Sequence, residues 1–77
     1  MRAYECAITV RDEPELVERV FLAEEKEFKH GRSEYLLKRE KGALVIICSA
    51  DDPTALRATV TSVTRILNIV KQTRDEV

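Results

Sequence analysis

At 77 residues, 44% hydrophobic and 35% charged, the chain is sized for one domain and is too apolar for disorder, yet it can bury only about 60% of its unfolded surface, so its core is marginal and a partner is expected. The longest uninterrupted apolar run, Ala43 to Cys48, is far shorter than the roughly 20 residues of a membrane helix, and no charged-then-apolar leader precedes a cleavage site; a cytoplasmic or nuclear protein with no membrane association is expected. The net charge of −1 conceals a division: Asp12 to Lys29 holds seven acids against three bases, and Pro53 to Arg74 holds four bases and no acid, so surfaces of opposite sign face different partners.

Arg2 to Val10 alternates, with Tyr4, Cys6, Ile8 and Val10 on one side and Ala3, Glu5, Ala7 and Thr9 on the other, the period of a half-buried strand. Asp12, Glu13 and Pro14 supply a cap, a proline suited to a first helical turn and acids near the positive end of a helix dipole. The helix they start runs to about Lys26, with Leu16, Val20 and Ala23 on one stripe and Val17 and Phe21 on a second. His30 and Gly31 break the pattern before a second strand from Ser33 to Glu40. Lys41-Gly42 reads as a tight hairpin turn. The third strand, Ala43 to Ala50, has Leu44, Ile46 and Cys48 on one face and Val45 and Ile47 on the other; both faces are apolar, and both need cover.

Asp52 and Pro53 open a second helix that runs to about Gln72. Leu56, Val60, Val63, Leu67 and Val70 form a heptad seam, and Ala55, Ala58, Ser62, Ile66 and Ile69 form a second stripe beside it. The two stripes cover about 200° of the helix, where about 100° suffices for a helix lying on one sheet. The surplus calls for another protein. Opposite the seam lie Arg57, Thr61, Thr64, Asn68, Lys71 and Gln72, with Arg65 at the edge; this strip suits either plain solvation or a phosphate backbone. The order strand, helix, strand, strand, helix is that of an α+β domain: a three-stranded antiparallel, meander-like sheet with two helices on one face, residues 1–77 forming a single domain.

Catalytic constellations are missing from this reading. His30 is the lone histidine, in a charged loop; Ser33, Ser49 and Ser62 have no histidine at a motif spacing; two glycines, Gly31 and Gly42, cannot build a phosphate cradle. Glu24, Glu25 and Glu27 read as a solvated helix end. Cys6 and Cys48, 42 positions apart, have neither zinc nor CxxC spacing and read as buried, reduced thiols. No enzyme activity, metal or cofactor is expected.

The stretch Ser49 to Leu67, SADDPTALRATVTSVTRIL, has an acidic cap, then Leu56-Arg57-Ala58, then the small polar pair Thr61-Ser62. It resembles the Pcc subunit of the KEOPS complex, in the family that also contains the CTAG and LAGE proteins. The likeness extends over essentially the whole chain, through the opening strand ending Ala7-Ile8-Thr9-Val10, the acidic first helix and the hairpin of Tyr35 to Cys48. The resemblance implies a non-catalytic accessory subunit of the assembly that makes threonylcarbamoyl-adenosine in transfer RNA. It implies a homodimer, association with a TsaD-like catalytic subunit, and help in holding transfer RNA. On that footing Val17, Phe21, Ala58, Ser62, Ile66 and Ile69 are expected at the catalytic-subunit interface, Val45, Ile47 and Leu36 at the dimer interface, and Arg57, Arg65, Lys71 and Arg74 at RNA. Two rivals share the architecture: a KH-like RNA-binding module, although the Gly-x-x-Gly loop of that class is missing, and a ferredoxin-like small-molecule-sensing domain, which normally has a further strand.

Overall fold

The computed structural model describes residues 2–24 and 33–75. Its order is β1 (Tyr4–Val10), α1 (Pro14–Glu24), β2 (Ser33–Glu40), β3 (Ala43–Ala50) and α2 (Pro53–Asp75), the expected α+β succession. The readings at His30, Gly31, Glu25 and Glu27 lie outside the described residues. The last helix extends past Gln72 to Asp75, which places one acid at its end.

The sheet is fully antiparallel in the order β1-β3-β2, which corrects the meander-like expectation. A meander would seat β2 centrally; here β3 lies between β1 and β2, and α1 carries the chain across it. The reason is in the side chains. A central strand loses water on both edges and gains cover on both faces, and β3 offers Leu44, Val45, Ile46, Ile47 and Cys48, whereas β2 ends in Lys38, Arg39 and Glu40. Gly42, at φ +76°, makes the left-handed step of the two-residue turn between β2 and β3.

Register then divides the sheet into two faces. On the helix side, Cys6, Ile8 and Val10 of β1 stand opposite Cys48, Ile46 and Leu44 of β3, which in turn face Tyr35, Leu37 and Arg39 of β2. Leu44, Ile46 and Cys48 join Val17, Phe21, Val63 and Val70 in one core cluster. Phe21 has no exposed surface; its ring meets that of Tyr35 edge-on, centroids 5.5 Å apart, and the Tyr35 hydroxyl donates to the Phe21 carbonyl at 3.2 Å. One aromatic pair thus ties α1 to β2.

The helix starts differ in quality. At α2, Asp52 Oδ1 accepts the Ala55 N–H at 2.8 Å while the Asp52 carbonyl accepts that of Leu56 at 3.1 Å, a cap of a kind that contributes about 1 kcal/mol. At α1 the capping position is Glu13, whose carbonyl accepts the Val17 N–H at 3.2 Å, and its φ of +48° is one that a residue with a Cβ rarely adopts.

The buried line of α2 is Ala55, Thr59, Val63 and Val70, rotated from the heptad seam. Leu56, Val60 and Leu67 sit half-buried at its side. Small residues let the start of α2 lie close on the sheet. The buried Thr59 hydroxyl donates to the Ala55 carbonyl at 3.0 Å, so no bare polar atom enters the core.

Candidate interaction surfaces

Three surfaces emerge. The first is the sheet face away from the helices, where Leu36 stands directly opposite Ile47, Ile47 opposite Ala7, and Val45 opposite Thr9. Leu36 is 57% exposed and Val45 and Ile47 are half-buried. No described element lies over them. The three residues expected at a dimer interface therefore form one apolar patch across β2 and β3. Charge borders it: Lys38 stands opposite Val45, Glu34 and Glu5 flank Ser49, and Arg2 reaches Glu34 at 3.0 Å and Asp51 at 3.2 Å.

The second surface is one flank of α2. Ile69 is 53% exposed, Ala58 is exposed, and Ser62 and Ile66 are half-buried, so four of the six side chains expected at the catalytic-subunit interface share a helix edge. The other two lie elsewhere. Val17 is 4% and Phe21 0% exposed; both are spent on the chain's own core, because the second stripe of α1 is the one that meets the sheet. Among the described residues of α1, the large apolar side chain that is exposed is Leu22, at 55%, which lies on neither stripe.

The third surface is basic. Arg57, Arg65 and Lys71 are exposed and none forms an ion pair among the described residues. Asp51, the acid next to the cap, takes Arg2 rather than Arg57. Helix geometry separates the three: Arg57 and Lys71 lie about 40° apart on the wheel and about 21 Å apart along the axis, while Arg65 is about 80° beyond Arg57 and borders the Ala58–Ile69 flank. The side chain of Arg74 lies outside the described part of the chain. Lys71 has a neighbour that sequence reading missed, Arg11: both line a cavity of about 290 Å³ at the end of β1, with Val10, Val17, Leu67 and Val70 as its apolar wall and Asp12 and Glu13 also on it. Periodicity could not show this, since Arg11 sits in a connection.

Among the described residues, no group of three or more His, Cys, Asp or Glu is gathered as a metal would require, and no helix is long and apolar enough to cross a membrane.

Fold and surfaces together define a small α+β domain with one sheet face packed under helices and the other covered by no described element. The chain belongs to the family described as transcription factor Pcc1, whose family model matches residues 5–75. That is the family of the KEOPS accessory subunit, so the chain is associated with KEOPS and with transfer-RNA modification, and the KH-like and ferredoxin-like alternatives are displaced. No curated protein matches the chain.

Proposed function

We propose that the chain is the non-catalytic dimerising subunit of a KEOPS assembly, working in the cytoplasm. Two copies join through the bare sheet face, a TsaD-like catalytic subunit docks on the helices, and transfer RNA runs past the basic residues of α2. The observation that supports this best is the patch of Leu36, Ile47 and Val45: a family member of this size, with one sheet face dry and the other apolar and under no described element, has buried only part of what it must. Leaving such a patch in water is costly, and a second copy offers the same patch in return.

The α2 flank of Ala58, Ser62, Ile66 and Ile69 suits helix-on-helix docking, because small residues admit close approach and Ile66 and Ile69 supply anchors. Ile69 is the cleaner probe, since Ile66 also packs on the core. Tagged Ile69→Glu should fold as the wild type does yet lose co-purification with the TsaD-like subunit, a fall of tenfold or more in recovered partner; undiminished recovery would remove this flank from the interface.

A further inference from the structure

Cys6 and Cys48 are 42 positions apart in the chain and directly opposite one another in the sheet. They are the chain's two cysteines, they stand on the same helix-facing side of neighbouring strands, and both are free thiols. Residues directly opposed across antiparallel strands have Cα atoms about 4.5 or 5.5 Å apart, and both values fall within the span a disulfide bridges. From this register we propose that Cys6 and Cys48 form a dithiol site for low-molecular-weight disulfides, which close it into an intramolecular bond joining edge strand β1 to central strand β3.

The two thiols are unequal, and that orders the chemistry. Cys6 is half-exposed on an edge strand, whereas Cys48 has no exposed surface, so an incoming disulfide meets Cys6 first. The Cys6 thiolate attacks one sulfur of the reagent, forming a mixed disulfide and expelling one thiolate. Cys48 then attacks the Cys6 sulfur, the mixed bond breaks and the second thiolate leaves. Two protein thiols are oxidised to one disulfide, one reagent disulfide is reduced to two thiols, and the protons given up by Cys6 and Cys48 end on those two thiols. The thiols are near enough to sense each other, since Cys6 adds to the upward push that burial exerts on Cys48. Closing a loop this long removes much of the freedom of the unfolded chain, so the oxidised form melts higher.

The test uses the full reduced chain and glutathione disulfide. The expected product is a single polypeptide lighter by two hydrogens and not covalently linked to a second, in which the tryptic fragment Ala3–Arg11 is joined to Gly42–Arg57, with Tm raised by about 10 °C or more and restored by reductant. Cys48→Ser should stop at a glutathione adduct on Cys6. If that variant does not fold, Cys6→Ser serves, and should form no intramolecular bond and take up glutathione at Cys48 slowly or not at all. A wild-type product that is mainly the Cys6 adduct or a disulfide-linked dimer overturns the proposal, and so does a closed bond that leaves Tm unchanged.

Discussion

Phe21 ties α1 to the sheet in three ways: its ring is fully buried in the core, that ring and the ring of Tyr35 meet nearly at right angles, and its carbonyl takes the Tyr35 hydroxyl. Truncating such a residue costs about 3–5 kcal/mol, which is as much as a domain of this size commonly has. Phe21→Ala should therefore lose its cooperative thermal transition by circular dichroism; a variant that still melts sharply near the wild-type Tm would show that α1 packs more loosely than described. Cys48 makes a second prediction. Burial, with Cys6 nearby, pushes its thiol from 9.0 up to about 11, so folding favours the neutral form. That contribution is complete below pH about 9 and is lost as pH climbs toward 11. Across that window the wild type should lose stability relative to Cys48→Ala, measured under reducing conditions by urea titration, and parallel slopes would contradict the assignment. Residue spacing could not reveal either role. Alternation places Cys48 on a face, and only register places it opposite Cys6.

At the scale of elements, β2, β3 and the Lys41-Gly42 turn were legible residue for residue, because period-2 alternation is interrupted where a glycine must take φ +76°. The order of the strands was not legible. Alternation tells which side chains share a face and is silent about which strand lies beside which. For the same reason the helices were legible and their rotation was not: two stripes on α1 left open which met the sheet, and Thr59, which lies on neither stripe of α2, is a buried residue whose hydroxyl is satisfied within its own turn. The basic residues of α2 follow this lesson. Arg57 and Lys71 share a flank about 21 Å long, a span of several phosphates, while Arg65 turns toward the Ile69 side. The double variant Arg57→Glu, Lys71→Glu should weaken binding of transfer RNA by the assembled complex and lower the steepness of its salt dependence by about two, one for each phosphate no longer neutralised. An unchanged salt slope in a filter-binding titration would mean that this flank is solvated surface.

For the whole molecule, the governing fact is an imbalance between its two sheet faces. One is dry beneath α1 and α2, built from Leu44, Ile46 and Cys48. The other presents Leu36, Ile47 and Val45 with no described element over them, in a chain belonging to a family of accessory subunits. Composition had announced the surplus of apolar surface, and the third strand's two apolar faces had located half of it. The remainder came from the sheet order, which puts that strand in the middle and sets Leu36 against Ile47. A homodimer closed across this face is the claim on which the rest depends, and the molar mass of the purified chain by size-exclusion chromatography with light scattering tests it most directly. At tens of micromolar the wild type should have the mass of two copies, and Ile47→Glu that of one with its circular dichroism unchanged. A wild-type chain that runs as a monomer at that concentration, or an Ile47→Glu chain that stays paired, would contradict the account.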